Sequence, residues 1–433
     1  MAVFTVCMTV TGSIFLVMLR AFFIRHPVRT AKELVRALRR GGRRPYMALL
    51  LALAGTLGVG NLTGVALGLM IGGAGSVFWM WVASLFACVL KYAEGVLAVD
   101  MHTADGGGMM WTVRRTLRHG RVPAFVYALV CLCVAFFMGA ALQSRAVAEA
   151  ATAAYGLPPL GVSVALSAVL CCVMAGGVAR VEKTAAWTVP LAAIGYIALC
   201  LGALIPSYEH IPAALWRIVR GAFSAEGTVG GVLGCLTSRA VRQGFAGCLL
   251  SNEAGAGTST LAHARNTSAG AVGEGLLSMT EVVLDTLLCT LTGVCLVTVG
   301  GDAPRVGELS PMGWIARTFS EALGPWSGNL LFICTLFFAF STIICWYYYG
   351  KCCAVYCFGK RSVYLYAAAF VSFVALGGRI ASHVAVCVTD VGLCVLSVIT
   401  LTTLLRASDR LTVLHRAVFR PHAQSTEAYR GEP

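Results

Sequence analysis

Apolar positions run through this chain in long blocks, and Gly, Pro and charged residues mark where each block ends. No charged residue occurs between Arg44 and Lys91. That run far exceeds the ~20 apolar residues that cross a bilayer, so it holds a helix pair, with its turn at Gly72-Gly73-Ala74-Gly75. Length and punctuation give apolar segments at about 5–24, 45–70, 75–99, 122–151, 158–178, 185–206, 271–300, 327–357, 361–377 and 384–406, with a weak, glycine-rich one at 227–264. The pattern predicts an all-α polytopic membrane protein of about 11 transmembrane helices.

Two segments are patterned to break. In the first, Gly55, Gly58, Gly60 and Gly64 crowd around Asn61 and Thr63, polar groups that lipid cannot satisfy. In the second, 227–264, Arg239, Arg242 and Glu253 stand at membrane depth among glycines. Unwound backbone is tolerated inside a membrane where it faces protein or a wet cavity, and its free carbonyls and amides then hold an ion or a zwitterion. Close packing through small residues is the competing reading. With the first segment set aside, the broken helices are the first and sixth of ten. They open two five-helix halves of opposite orientation, the arrangement of an inverted-repeat transporter. The expected divisions are an extra N-terminal helix (1–24), a basic amphipathic segment (25–44), two repeats (45–206 and 227–406) and a tail (407–433).

Charge orients this plan. The net charge of +14 could suggest nucleic acid, but Lys and Arg gather in the short segments between apolar runs, as membrane topology requires. They place 25–44 and the tail on the inner side of a cell (inner) membrane, N-terminus out and C-terminus in. The stretch from Arg25 to Arg44, with Leu34, Val35 and Leu38 at helical spacing, predicts a helix lying against anionic lipid or a solvated loop. Many of the 18 cysteines lie inside apolar runs, where they act as small hydrophobes. No HExxH, paired catalytic carboxylates or nucleophile with its base stands at useful spacing, so an enzyme is not expected.

Several stretches resemble the alanine/glycine:cation symporter family of the amino acid–polyamine–organocation superfamily. They are GTLGVGNLTGVA (55–66), the 72–99 helix, SNEAGAGTSTLAHA (251–264), the Leu284-Asp285-Thr286 step and FAFSTIICWYYYG (338–350). The resemblance implies a leucine-transporter-like core of ten helices, five plus five, with one extra N-terminal helix. It implies a monomer importing a small neutral amino acid, alanine or glycine, with sodium as coupling ion and no organic cofactor. Proton coupling, a broader small-amino-acid range and a passive channel are the alternatives. By resemblance the substrate meets Gly58, Gly60 and Asn61 from the first core helix and Gln143 from the third. It also meets Leu250, Ser251, Asn252 and Gly255 from the sixth, and Thr342 and Trp346 from the eighth. A sodium ion is implied near Gly55, Thr56, Ser341 and Thr342. The chain departs from the family pattern at Val59, where Thr is common, and at Gly247-Cys248-Leu249-Leu250, where Arg-Gly-Leu-Phe is common.

The residue types suit these roles. Hydroxyls and freed carbonyls give a hard cation its oxygens, although a Ser-Thr pair inside a helix also bonds back to its own preceding turn. Gln143 offers donors and an acceptor to a carboxylate or a water, or clasps a neighbouring helix. Trp346, one turn from Thr342, walls the side-chain end of a small amino acid or simply packs. Tyr347, Tyr348 and Tyr349 point around the helix, the exposed ones expected in an interface belt. Glu253 and Asp285 are expected to pair with Arg239 or Arg242, or to hold a cation or proton. Lys91 with Glu94, and Arg145 with Glu149, are expected as local ion pairs, and His263 as a polar residue at a helix end.

Overall fold

The computed structural model describes residues 2–40, 42–104, 106–223, 238–265 and 267–419, and these form an all-helical bundle. The N-terminal helix α1 (Ala2–Met18) is shorter than the expected 5–24 segment. Arg20 and Ala21 take left-handed φ values of 55° and 44°, which end it before Phe22. The basic stretch is a helix, α2 (Pro27–Arg40), whose Thr30 and Ala37 are buried while most of its basic side chains are exposed. Ala37 lies against Gly273, so this helix docks on the bundle.

The first glycine-rich span is a bent pair, α3 (Arg43–Thr56) followed, after the break, by α4 (Val65–Gly72), turned by 50°. Gly73 at φ 70° makes the tight turn into α5 (Gly75–Asp100), as the glycine run predicts. Then come α6 (Arg121–Val134) and α7 (Gln143–Tyr155), one long span joined through a π-helical stretch, Ala135–Leu142. α8 (Pro159–Ala175) and α9 (Gly177–Leu204) follow. Of the weak 227–264 region, residues 227–237 lie outside the described residues. The remainder begins as α10 (Arg239–Asn252), opened by a Ser238 side-chain cap on Val241. The later spans are α11 (Ala271–Val299), α12 (Ser327–Phe358), α13 (Ser362–Leu376) and α14 (Ser382–Arg406). Among the described residues seven helices are long and apolar enough to cross a membrane, eight with the bent pair. Two shorter apolar helices, Thr5–Met18 and Pro159–Ala175, accompany them.

Packing follows small residues. α5 lies along α11, and a Cβ added at Gly95 would come within 2.9 Å of the Gly275 Cα, so the two backbones touch where side chains would hold them apart. α12 runs through the centre, and its Tyr347, Tyr348 and Tyr349 are all buried, at 7%, 8% and 0% exposure. The expectation of an interface belt there is corrected: three tyrosines in sequence stay inside because neighbouring helices surround this helix on every side.

After Arg406 the chain forms one more helix, α15 (Ser408–Phe419). Its His415 Nδ1 lies 2.9 Å from Tyr92 Oη, and its ring stacks on Phe419 at 4.7 Å. Arg29 of α2 donates to the Val418 carbonyl at 3.1 Å and covers the Phe419 ring. Burial, then the charges of Arg416 and Arg29, push the His415 imidazole down to about 4 from its ordinary 6.5. An undocked histidine therefore takes up a proton that the docked one refuses. Docking is complete above the ordinary value and is lost as pH falls through the window between the two. We expect a Leu411→Cys probe, on a cysteine-depleted background, to become more reactive as pH is lowered through that window. His415→Phe should remove the pH dependence, as thiol-labelling rates would show.

Candidate functional site

The site is built where α3 and α10 stop being helices. At the end of α3 the Leu57 N–H still reaches Leu53 O, but the next donor, Gly58, turns back to Thr56 O at 3.0 Å and to Asn61 Oδ1 at 3.0 Å. The Ala54 carbonyl loses its helical donor in consequence. A short π-helical turn, Gly60–Gly64, restores helical geometry. Gly58 faces α12: a Cβ there would sit 2.7 Å from Thr342 Oγ1 and 3.7 Å from Gln143 Oε1. Gly55 faces the same helix one turn on, against Cys345 Sγ and Tyr349 Oη. Gly60 and Gly64 face Leu250 instead.

The second break follows Asn252. Glu253 takes a left-handed φ of 54°, and Gly255 and Gly257 continue at positive φ. A non-glycine residue held there is strained and persists only where its surroundings fix it. Those surroundings are explicit. The Gly255 N–H donates to Glu94 Oε1 at 2.6 Å, and the Ala256 carbonyl accepts from Tyr127 Oη at 2.8 Å and Thr400 Oγ1 at 3.2 Å. Asn252 Oδ1 accepts from the Ala254 N–H, Thr258 Oγ1 donates to the Glu253 carboxylate, and Lys91 Nζ donates to Ser259 Oγ at 2.7 Å. The whole 251–264 segment is buried.

One carboxylate joins the two breaks. Asp285 Oδ1, on α11, accepts from Asn61 Nδ2 at 2.6 Å and from Ser251 Oγ at 2.5 Å. The expected pairing of Asp285 or Glu253 with Arg239 or Arg242 is corrected, since both arginines stand exposed near the start of α10. Lys91 and Glu94 likewise do not form a local pair. Lys91 reaches Glu281 Oε2 at 3.2 Å, and Glu94 serves the Gly255 amide, because each finds a partner across the helix interface rather than along its own helix. Arg145 and Glu149 do pair, at 2.7 Å. His263 is fully buried between Glu274 Oε2, at 2.8 Å from Nδ1, and Glu281.

The structure thus brings Gly58, Gln143 and Thr342 together, with Gly60 and Leu250 meeting alongside. Asn61, Ser251 and Asn252 are present, but their side chains are committed to Asp285, Cys248 and the local backbone. Gly255 gives its amide to Glu94. Ser341 and Thr342 both donate to the Phe338 carbonyl, at 2.9 and 3.0 Å. Their oxygens keep lone pairs for a further partner. Thr56 Oγ1 bonds back weakly, at 3.4 Å, to Ala52 and Leu53. Gln143 Oε1 is buried without a hydrogen-bond partner among the described residues, and Trp346 faces the Glu253 carboxylate. All the expected site residues are buried except Gly60 and Leu250, which are partly so. A cavity of about 880 Å³, lined by Arg114, Leu261, Arg265, Tyr348 and Lys351 among others, opens below the second break.

Residues 1–425 match the model of the sodium:alanine symporter family. The chain belongs to that family. An uncharacterized transporter of Haemophilus influenzae is 36% identical over 78% of this chain and 75% of its own length. The sodium/alanine symporter AgcS of Methanococcus maripaludis is 35% identical over the same shares. Among solved structures, a manganese transporter of Eremococcus coleocola superposes with a TM-score of 0.55 at 13% identity, over 86% of this chain and 78% of that one, a likeness of fold. The sodium:alanine symporter family is a transporter family, and this member is a multi-pass membrane protein.

Sequence reasoning missed Glu274 and Glu281, and it gave Glu94 the wrong partner. The signal was there: Glu274, Ser278, Glu281 and Asp285 recur at four-, three- and four-residue steps, a polar stripe down one face of an apolar helix. Close approach gives the test of the first break. Gly58→Ala should destabilise the folded protein by about 1–3 kcal/mol through overpacking against Thr342. Adding Thr342→Ala should recover most of that loss, as a double-mutant cycle on thermal melting in detergent would show.

Proposed function

We propose that this symporter carries alanine or glycine into the cell together with sodium. The observation that supports it most is the joining of both helix breaks at Asp285, with Gly58 against Thr342 and Gln143, and Leu250 against Gly60 and Gly64. The amino acid's charged ends meet unwound backbone near Gly58, Gly60 and Asn61 and in the Ser251, Asn252, Gly255 stretch. Gln143 supplies an unpartnered amide oxygen to them. Trp346 and Leu250 enclose the small side chain. Sodium lies between the carbonyls freed near Gly55 and Thr56 and the oxygens of Ser341 and Thr342. The same reading takes eleven spans, five plus five after an extra N-terminal helix, in a monomer of the inner membrane with α2 and α15 on the cytoplasmic side. Leu250, where the family commonly has a ring, favours a pocket slightly wider than alanine needs, so serine and 2-aminobutyrate should compete with alanine better than they do in Leu250→Phe.

An ion held between α3 and α12 ties opposite halves together, so sodium and amino acid strengthen each other's binding, a coupling typically worth ~1–3 kcal/mol. Uptake of labelled alanine into proteoliposomes should therefore depend on an inward sodium gradient. Replacing both hydroxyls (Ser341→Ala with Thr342→Ala) should raise the sodium needed for half-maximal alanine binding. Gln143→Ala should weaken alanine at every sodium concentration. A folded double variant with unchanged sodium dependence would put the ion elsewhere.

A further inference from the structure

The stripe on α11 leads from the end of the bundle to the second break. Glu274 sits in the first turn of α11, fully buried, beneath the exposed residues Arg265, Thr267, Ser268 and Gly270. Its Oε2 meets His263 Nδ1 at 2.8 Å, and His263 Nε2 meets Glu281 Oε1. Glu281 Oε2 meets Lys91 Nζ at 3.2 Å, and Lys91 donates to Ser259 Oγ at 2.7 Å. Seven residues along a helix span about 10 Å, so this chain crosses that depth without a gap. Between its two carboxylates the Ser278 hydroxyl is buried and has no hydrogen-bond partner among the described residues.

Two features separate this chain from a structural ion pair. First, an imidazole with a carboxylate on each nitrogen can take a proton at Nδ1 and release one from Nε2. Second, the charges do not balance. Glu94, Glu253, Glu281 and Asp285 are all buried, and among the described residues the cation that meets them is Lys91, with His263 against Glu281. Buried carboxylates without countercharge are costly, so this cluster holds cations or protons. The groups facing Glu281 are Lys91 and Glu94 from α5, Glu253 from the break, Asp285 on its own helix, and Cys345 and Tyr349 from α12. α2 packs on this part of α11, with the apolar Ala37 against Gly273.

We infer that Glu274, His263 and Glu281 form a proton path from the exposed residues Arg265, Thr267 and Ser268 to the Lys91–Ser259 contact at the second break. A proton from water binds Glu274, passes to His263 Nδ1, and a proton leaves Nε2 for the Glu281 carboxylate. One O–H or N–H bond forms as another breaks, and nothing is oxidised. A neutral Glu281 no longer holds the Lys91 ammonium, and Lys91 loosens its grip on the break. Substrate binding at that break therefore changes how many protons the protein holds, and pH changes substrate affinity by the same linkage.

The inference rests on the amino acid transport reading, and the test keeps the two apart. Purified protein in weakly buffered detergent, with saturating sodium and a pH-indicator dye, is titrated with alanine while binding is followed with labelled alanine. Wild type should bind alanine and move up to about one proton per molecule. His263→Gln and, separately, Glu274→Gln should bind alanine and move none. Alanine binding by wild type without proton movement, or unchanged movement in both variants, would overturn the path. If alanine does not bind, the substrate reading fails instead, and sodium addition alone must then move protons in wild type and not in His263→Gln.

Discussion

The structure depends on a single buried carboxylate oxygen that two broken helices share. Asp285 Oδ1 takes the amide of Asn61 and the hydroxyl of Ser251 at hydrogen-bond lengths of 2.6 and 2.5 Å. Without that acceptor the Asn61 amide and the Ser251 hydroxyl would be left buried and unpaired, at a cost of about 1–3 kcal/mol each. Asn61 also holds the Gly58 amide through its Oδ1. The carboxylate thereby fixes the first break through a side chain and the second through the residue that precedes Asn252. In a low-dielectric interior such bonds are directional and strong, so the two breaks keep one register relative to each other.

The remaining backbone of the breaks is satisfied from further helices. Glu94 on α5, Tyr127 on α6, Tyr348 on α12 and Thr400 on α14 all bond main-chain atoms between Gly255 and Leu261. Irregular backbone at membrane depth thus survives because side chains replace the helical partners that it gave up. The same arrangement makes the break responsive. Any change in how α5 or α11 sits alters the bonds that hold the unwound segment, and a ligand on that segment biases those helices in return.

The breaks themselves were legible in the sequence. Glycines around Asn61 and in the SNEAGAG run, set within apolar segments, announced unwound backbone, and family resemblance pointed to Gly58, Gln143 and Thr342, which do converge. What was not legible is which partner each buried charge takes. Lys91 and Glu94 are three residues apart and read as a local pair, yet Lys91 bonds Glu281 across the interface where Gly95 meets Gly275, and Glu94 bonds the Gly255 amide of the unwound segment. Asp285 read as a charge needing an arginine, whereas neutral donors from two other helices satisfy it. The premature end of α1 at Met18 was equally hidden, since Leu19 through Ile24 include only one charge and continue the apolar run.

Asp285 is where the joining of the two breaks can be tested. Equilibrium binding of labelled alanine, at saturating sodium and with folding checked by thermal melting, should be compared in wild type, Asp285→Asn and Asp285→Ala. Loss of the shared acceptor should weaken alanine by about tenfold or more in Asp285→Ala, a change of at least ~1.4 kcal/mol. Asp285→Asn, which keeps one acceptor oxygen, should fall between. A folded Asp285→Ala protein that binds alanine as wild type does would contradict the claim that this carboxylate holds the two breaks together as one site.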